Sequence, residues 1–443
     1  MTRAGCWPQP APTDSHVTEE VRILRLAAGG DGVGRLADGR TVFVPRSAPG
    51  DLLEITRLRS YARFARARVG RLVEGGPGRV EPRCAHYLAD DCGGCQLQHL
   101  SHDAQLEAKR AIVTDALERI GRLTFEVPPV IGPDELWAYR TRVTLAVGPD
   151  RRQAGFHPLD EPRRVFALER CEIAAPPLME LLRPLRTLLH LLPSDAEQLL
   201  LRLDREERLH LVVKARGETA WRTARRLHQE LSAQGVGAVI WWQPGDGAAR
   251  VMAGGDETFP ATVFEQVHPG LGDRIRGWAL DRLGVEAADH VWDLYAGIGE
   301  TSTALSARGA SVESVELDRR AVRLAAERER RVAGGRPESE QAGSPRVRRH
   351  VGRVEDLVDR LEDPSLVVAN PPRAGLHPRV TAALRHRRPR RMVYVSCDPA
   401  TLARDLAGLC APGDARYRLT ELQPFDLFPQ TAHVETVAVL EGQ

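Results

Sequence analysis

A cysteine follows an apolar stretch near the carboxyl end of the chain, in the sequence VYVSCDPATLARD at 393–405. Residues 392–395 predict a buried strand, and Asp398 and Pro399 predict the start of a helix. Cys397 would then lie at the carboxyl end of a strand, the edge at which open α/β sheets bind ligands. A helix amino terminus lowers the pKa of a thiol, so Cys397 is a candidate nucleophile. The alternative interpretation is a small buried hydrophobic residue.

A glycine loop, DLYAGIG at 293–299, follows another predicted strand. Gly297 and Gly299 would let backbone amides approach a cofactor closely, and the next strand ends in Glu316, where a carboxylate can accept both hydroxyls of a ribose. Position 302 holds serine in place of the third glycine of a dinucleotide fingerprint. The pattern therefore favours a nucleoside cofactor without a pyrophosphate, such as S-adenosylmethionine (SAM). An ordinary turn followed by a surface glutamate is the alternative.

The cysteines have a spacing that suits a metal centre. The chain has seven, an odd number, and its amino terminus has no secretory pattern, which disfavours a disulfide framework. Three cysteines form C-x7-C-x2-C and a fourth lies further along the chain; the candidate metal ligands are Cys84, Cys92, Cys95 and Cys171. Such a set can hold zinc or a [4Fe–4S] cluster, and the spacing alone does not choose between them.

The composition describes a large and nearly neutral protein. A formal net charge of +2 does not by itself indicate a nucleic-acid-binding protein. No apolar stretch reaches the length of a membrane span, so we expect a cytoplasmic protein with no membrane partner. We also expect a monomer without an obligate protein partner.

One segment, RLRSYARFARARVGRL at 57–72, interleaves arginine with aromatic side chains. This pattern suits RNA, through phosphate contacts and base stacking. A solvated strand face in an arginine-rich protein is the alternative. The candidate RNA-contacting residues are Arg57, Arg59, Tyr61, Arg63, Phe64 and Arg66.

The patterns of strands and helices around these residues predict an α/β multidomain protein. Residues 1–15 are proline-rich and polar and predict a flexible tail. Short strands broken by glycine turns over 16–78 predict a small OB-like β-barrel. Residues 79–270 predict a central α+β domain that carries the metal-cluster loop. Alternating strands and helices over 271–443 predict a doubly wound, Rossmann-like domain.

Together these motifs resemble the TRAM-domain, iron–sulfur-containing, SAM-dependent RNA uracil-C5 methyltransferases, particularly the 23S ribosomal type, over nearly all of 17–440. SCDPATLARD resembles the family's S-C-N-P-x-T-x-x-R-D motif, which implies that Cys397 is the catalytic cysteine. FPQTAHVET resembles F-P-x-T-x-H-x-E, which implies that Glu435 is the base. The four cysteines match the ligands of the family's [4Fe–4S] cluster, although the first gap is longer than usual.

The resemblance also implies a TRAM RNA-binding barrel at the amino end and a class I SAM-dependent methyltransferase domain at the carboxyl end. FEQVH at 264–268 resembles F-x-Q-V-N and extends the set of expected SAM contacts. The expected SAM-binding residues are Gln266, Tyr295, Gly297, Gly299, Glu300, Glu316 and Asn370.

Three positions depart from the family pattern. Asn370 replaces the aspartate of Asp-Pro-Pro-Arg, Glu300 replaces the asparagine after the glycine loop, and His268 replaces the asparagine of Q-V-N. The first change removes a charge near the methyl donor and the second adds one. We therefore expect SAM binding to be weakened or altered.

The implied activity is transfer of a methyl group from SAM to C5 of a specific uridine in RNA, with 23S rRNA as the expected partner. C5 of uracil is a poor nucleophile. A Cys397 thiolate that adds to C6 creates an enolate with electron density at C5, and Glu435 then removes the C5 proton. The target base must leave its stack to reach the cysteine.

Three alternatives stay open at this point. Asn370-Pro-Pro suggests methylation of an exocyclic amine, with Cys397→Ala still active, although Arg373 stands where such enzymes carry an aromatic residue. The departures suggest an RNA-binding iron–sulfur protein with a degenerate SAM site. A transfer RNA uridine is the third possibility, because the preference for ribosomal RNA rests on family analogy.

Overall fold

The computed structural model describes residues 14–15, 19–218, 220–255, 261–332, 347–410 and 417–443. The tail predicted over 1–15 lies outside these residues except for a two-residue strand, Asp14–Ser15 (β1). This strand pairs antiparallel with a later strand of the first sheet through Asp14 and Arg59.

Five further strands close into a barrel at the amino end. They are Glu19–Leu26 (β2), Gly32–Arg35 (β3), Thr41–Val44 (β4), Leu52–Ser60 (β5) and Phe64–Glu74 (β6). The order β2-β3-β4-β6-β5 returns to β2, because β5 pairs with both β6 and β2. Alternate side chains point inward, as Val21 and Ile23 do on β2, and form one apolar core. The predicted small barrel is confirmed.

A second sheet occupies the middle of the chain. The helices in this part of the chain are Ala85–Ala89 (α1), His102–Ala116 (α2), Pro176–Leu185 (α3) and Ala224–Ala233 (α4). Its strands are Arg142–Val147 (β7), Ala154–Phe156 (β8), Phe166–Ala167 (β9), Ala196–Leu203 (β10), Leu209–Ala215 (β11), Ala238–Pro244 (β12) and Arg250–Ala253 (β13). The order is β13-β12-β11-β10-β7-β8-β9, and α3 and α4 cover one face. The opposite face packs on the carboxyl-terminal domain through Leu200, Trp241 and Leu324.

The third sheet is doubly wound, as predicted. Its helices are Pro269–Leu283 (α5), Glu300–Ala307 (α6), Arg319–Val332 (α7), Val354–Leu357 (α8), Pro378–Arg387 (α9) and Pro399–Leu409 (α10). Its strands are His290–Leu294 (β14), Ser311–Glu316 (β15), Val347–Val351 (β16), Leu366–Ala369 (β17), Arg391–Ser396 (β18), Tyr417–Phe425 (β19) and Glu435–Gly442 (β20). The order is β16-β15-β14-β17-β18-β20-β19, with β20 antiparallel to both neighbours. The strand order reverses between β14 and β17, which creates a ligand crevice there. No helix in the described ranges is long and apolar enough to cross a membrane.

Helix α2 packs against the third sheet rather than the second. Val113 and the following Leu117 share an apolar core with Tyr394 of β18 and Leu402 of α10. Lys109 of α2 forms a fully buried ion pair with Asp426, in the loop that joins β19 to β20. We call residues 426–434 the base loop, because it leads directly into Glu435. The boundaries proposed near 78 and 270 stay predictions.

The buried ion pair predicts a large loss of stability when one partner is removed. Lys109→Met leaves the Asp426 carboxylate buried without its cation, so we expect the free energy of unfolding to fall by about 3–5 kcal/mol. Urea denaturation measures this loss. Arg216→Met, at an exposed pair with Glu197, is the control and should cost less than about 1 kcal/mol. Equal losses for the two variants would contradict this interpretation.

Candidate active site

Cys397 lies where the sequence placed it, directly after β18 and before α10. Asp398 caps the helix, because its carboxylate accepts hydrogen bonds from the amides of Ala400 at 3.0 Å and Thr401 at 2.9 Å. Pro399 occupies the first helical position, where it has no amide hydrogen to leave unpaired. The half-buried thiol therefore sits at the carboxyl edge of the sheet, beside the crevice.

The pKa of the Cys397 thiol is raised overall, despite the helix amino terminus beside it. Burial is the main cause that raises the pKa of Cys397, and the nearby carboxyl of Glu435 raises it further. Two amides of the first helical turn, those of Ala400 and Thr401, are bonded to Asp398 rather than to the thiol. Arg373 takes the activating role, because its guanidinium contacts the thiol and lowers the pKa of Cys397.

Glu435 is the first residue of β20 and lies next to Cys397 because of the strand register. Ser396 of β18 pairs with Thr436 of β20 in antiparallel fashion, so the next pair outward is Cys397 and Glu435. The carboxyl is 3 % exposed, and this burial raises the pKa of Glu435 to about 8, with Arg373 as the opposing influence. A carboxyl with a pKa near the working pH suits a general base or acid.

Two further side chains complete the cluster, and the sequence reasoning assigned neither of them a role. Arg373 follows the two prolines after β17, and its Nη2 lies 3.4 Å from Nε2 of His433. Burial, and after it the charge of Arg373, lower the pKa of His433 to about 4, so the imidazole is neutral at neutral pH. Both residues stand inside the quoted motifs, which was the available signal. Because the chain contains many arginines, the sequence gave no reason to assign a role to Arg373.

A cleft of about 810 Å³, partly open to solvent, lies at the reversal of strand order beside this cluster. Five of the expected SAM-binding residues line it: Gln266, Tyr295, Gly297, Glu300 and Asn370. Gly299 lies in the same loop with φ +75, and a side chain there would collide with Ala325 at 2.8 Å. Tyr295 also has a positive φ, of 63°, so the loop turns sharply at both of its ends.

Glu316 supports this loop from the end of β15. Its carboxylate accepts hydrogen bonds from the amide of Gly297 at 2.9 Å and the amide of Asp318 at 2.8 Å. A carboxylate has about four lone-pair sites, so each oxygen retains capacity for a ribose hydroxyl. Its role in binding SAM remains a prediction.

The three departures from the family pattern lie in different surroundings. Glu300 forms ion pairs with Arg276 and, at 3.0 Å, with Arg205, so its added charge is balanced at the cleft wall. His268 is buried and stacks on Tyr139, with ring centroids 5.0 Å apart. Asn370 is exposed at the cleft, and its backbone N–H donates to the carbonyl of Leu294 at 3.2 Å.

The four candidate metal ligands surround one cavity of about 1050 Å³: Cys84, Cys92, Cys95 and Cys171. Arg140, Arg142 and Arg170 also line it, so the wall supplies positive charge. Within the part of the chain that the structure describes, no three ligand side chains converge closely enough to hold a single metal ion. The cysteines thus share a cavity without forming a one-ion site, and the predicted metal-cluster loop remains a prediction.

The candidate RNA-contacting residues lie at the β5–β6 turn of the barrel. Tyr61 and Phe64 stack on each other, with centroids 4.5 Å apart and planes at 15°. The arginines of the set are exposed, and one of them, Arg66, lies 3.7 Å from Asp31. Arg57 has a positive φ of 52°, which marks an irregularity in β5.

Comparison with known proteins agrees with this geometry. A family profile described as "tRNA (Uracil-5-)-methyltransferase" matches residues 258–443, and the TRAM domain profile matches 17–69. A 23S rRNA (uracil(1939)-C(5))-methyltransferase of Thiobacillus denitrificans is 30% identical over 95% of this chain and 99% of its own length. An uncharacterized RNA methyltransferase of Corynebacterium efficiens is 34% identical over 95% of this chain and 94% of its own.

A solved structure shares the fold. The tRNA (uracil-54, C5)-methyltransferase of Pyrococcus abyssi, in complex with S-adenosyl-L-homocysteine, has a TM-score of 0.68 at 23% identity, covering 95% of this chain and 100% of that one. The carboxyl-terminal domain therefore has a SAM-dependent methyltransferase fold. The chain belongs to the RNA (uracil-C5)-methyltransferase family and carries a TRAM domain.

The raised pKa of Glu435 predicts a pH-dependent contribution to stability. The folded-state pKa of about 8 lies above the ordinary value of 4.5. The contribution of this carboxyl to stability is therefore complete below pH 4.5, decreases above it, and is lost as the pH rises through 8. Gln is a neutral isostere that does not titrate. We expect the melting temperature of Glu435→Gln, relative to wild type, to rise between pH 5 and pH 8.5.

Glu441→Gln, on the same strand, is the control for this measurement. Hydrogen bonds from Arg391 and Arg418 lower the pKa of Glu441, so its contribution is already complete at pH 5. Its melting temperature relative to wild type should stay constant over that range. A constant difference for Glu435→Gln as well would show that Glu435 is ionised throughout.

Proposed function

We propose that this protein transfers a methyl group from SAM to C5 of a specific uridine in 23S rRNA through a covalent adduct with Cys397. The observation that carries the proposal is the juxtaposition of Cys397, Glu435 and Arg373 at the carboxyl edge of the sheet, beside the cleft. The relative from T. denitrificans acts on 23S rRNA by its name and is similar over nearly its whole length. That similarity supports ribosomal RNA over transfer RNA.

The first step needs the Cys397 thiolate. Arg373 stabilises this anion against burial and against Glu435. The sulfur adds to C6 of uracil, and the electrons of the C5=C6 bond move onto the C4 carbonyl oxygen as an enolate. With SAM in the cleft, the C5 carbon would take the methyl group from the sulfonium sulfur, and S-adenosylhomocysteine would be the leaving group.

The second step needs a base. Ionised Glu435 removes the proton from C5, the electrons re-form the C5=C6 bond, and the Cys397 sulfur leaves as thiolate. A pKa of about 8 keeps a fraction of the carboxyl ionised at neutral pH and lets the same group hold the proton after transfer. Arg373 lowers the pKa of both reacting groups, so it couples the two steps.

The cleft suits the cofactor through its own residues. A loop with two glycines at positive φ offers backbone amides, and Glu316 holds this loop in place. We propose that the ribose is bound by Glu316 and the remaining part of SAM by the cleft residues Gln266, Tyr295, Gly297, Gly299, Glu300 and Asn370. The balanced charge of Glu300 supports a working site over a degenerate one.

RNA would be held by the barrel as well as by the catalytic domain. We propose that Arg57, Arg59, Arg63 and Arg66 contact phosphates near the β5–β6 turn. The stacked pair of Tyr61 and Phe64 offers an aromatic surface there.

We propose that the cysteine cavity holds a [4Fe–4S] cluster. A single ion needs ligands that converge on one point, whereas a four-iron cluster needs cysteines spaced around a volume, which is how Cys84, Cys92, Cys95 and Cys171 are arranged. The arginines of the wall would balance the negative charge of the thiolates. The cluster would join the 84–95 segment to the segment around Cys171.

The proposed reaction predicts release of the C5 hydrogen of uridine. With 23S rRNA that carries tritium at C5, wild-type protein should release tritium only when SAM is present. Cys397→Ala should fall to background, because no nucleophile remains to activate C5. Cys410→Ala, at the end of α10, is the matched control and should keep its activity.

The rate should rise between pH 7 and pH 9, as Glu435 ionises. Transfer RNA labelled in the same way tests the alternative substrate. Absence of release from both RNAs, with protein that binds RNA, would contradict the proposed function and favour a protein with a degenerate SAM site.

The cluster predicts iron in the protein. Wild-type protein purified without oxygen should contain about four iron atoms per chain and absorb visible light. Cys171→Ala should lose most of this iron because one ligand is missing, while Cys410→Ala should keep it. One zinc ion per chain, or iron unaffected by Cys171→Ala, would contradict the assignment.

A further inference from the structure

The base loop contains one residue in an unusual backbone conformation. Gln430 has a φ of +70, in the left-handed region that favours glycine, and its side chain is 3 % exposed. The base loop contains no glycine at all. Such a conformation costs free energy and persists only where the surroundings impose it, often next to a functional site.

Gln105 of α2 imposes this conformation from one side. Its Oε1 accepts the backbone amide of Gln430 at 2.9 Å, and its Nε2 donates to the Gln430 side-chain oxygen at 3.0 Å. The same Nε2 donates to the carbonyl of Leu100 at 3.0 Å, which orients the amide group of Gln105. Both glutamines are buried, so their polar atoms depend on each other.

The cysteine segment holds Gln430 from the other side. The Gln430 carbonyl accepts the amides of Gln96 at 3.2 Å and Leu97 at 3.0 Å, directly after Cys95. The side-chain oxygen of Gln96 accepts the amide of Ala432 at 3.3 Å. Every polar group of the Gln430 backbone is therefore bonded to a residue more than three hundred positions away.

A series of hydrogen bonds and contacts links the residues after Gln430 to the reacting groups. After Gln430, the Thr431 hydroxyl donates to the carbonyl of Phe428 at 2.8 Å and accepts the amide of His433 at 3.3 Å. His433 contacts Arg373, and Glu435 begins β20 two residues later. The left-handed turn at Gln430 thus determines the path by which the chain delivers Glu435 to Cys397.

We propose that Gln430 is a positioning residue for the catalytic base. Its left-handed backbone, held by Gln105 and by the segment after Cys95, aligns Glu435 for proton removal and has no effect on Cys397, which follows β18. This inference rests on the proposed function, and it assigns the cysteine segment a part in catalysis through the base loop. Disturbing Gln430 should therefore slow the second step of the reaction and spare the first.

Two substitutions at one position test this role. Gln430→Gly and Gln430→Val both remove the side-chain contact with Gln105, but only glycine adopts a positive φ without cost. We expect Gln430→Gly to stay close to wild type in kcat. We expect Gln430→Val to lose about tenfold or more in kcat, since a left-handed conformation is disfavoured for a branched residue, with an unchanged KM for RNA.

The second readout is the covalent intermediate. If Glu435 is misaligned, addition by Cys397 and methyl transfer proceed while proton removal lags, so protein covalently bound to RNA should accumulate with Gln430→Val and not with Gln430→Gly. A denaturing gel with labelled RNA measures this fraction. A loss of folding alone would lower both the adduct and RNA binding. Equal kcat and equal adduct for the two variants would overturn the proposal.

Gln105→Met gives a second test that leaves the base loop unchanged in sequence. Gln105→Met should accumulate the adduct as Gln430→Val does. The control is Gln423→Met on β19, which removes a hydrogen bond of 2.9 Å to the carbonyl of Pro129 and should not accumulate the adduct. Wild-type protein in the same assay distinguishes a failure of the proposed function from a failure of the positioning role. Absence of C5 tritium release would refute the proposed function, whereas release with no adduct in Gln105→Met would refute the positioning role alone.

Discussion

The buried ion pair between Lys109 and Asp426 holds together two segments separated by 317 positions in the chain. Both side chains are fully buried, and His102 adds a contact to Asp426 at 3.1 Å. Charges in such a place are tolerated only when they are paired. Because Asp426 opens the base loop, this pair anchors the segment that brings Glu435 to the reaction centre. The barrel also contacts the base loop, since Leu26 of β2 packs in one apolar cluster with Leu97 and Ala432.

The reaction centre has its own electrostatic constraint. The half-buried Cys397 thiol lies beside the fully buried Glu435 carboxyl, and Glu435 raises the pKa of the thiol. Catalysis needs one of them ionised for addition and the other ionised for proton removal. Arg373 is the cation that both groups share, and neutral His433 lies beside it without adding charge. Arg373 thus opposes the rise in the pKa of both the thiol and the carboxyl.

Local patterns predicted much of this architecture. Alternating strands with glycine turns predicted the barrel, and a strand that ends in cysteine before an Asp-Pro pair predicted the site of Cys397. Features formed between distant residues could not be predicted in this way. The packing of α2 on the third sheet combines an apolar core with a buried ion pair between distant residues, and Gln430 is hydrogen-bonded by partners on other segments.

The central claim is that Cys397 attacks the base and Glu435 releases the product, and one variant separates these roles. Glu435→Gln, incubated with SAM and 23S rRNA, should stall after methyl transfer, because no carboxylate removes the C5 proton. Mass spectrometry of the digested complex should then find a methylated uridine linked to the peptide that contains Cys397. A Glu435→Gln protein that turns over freely, or an adduct on another residue, would contradict this account.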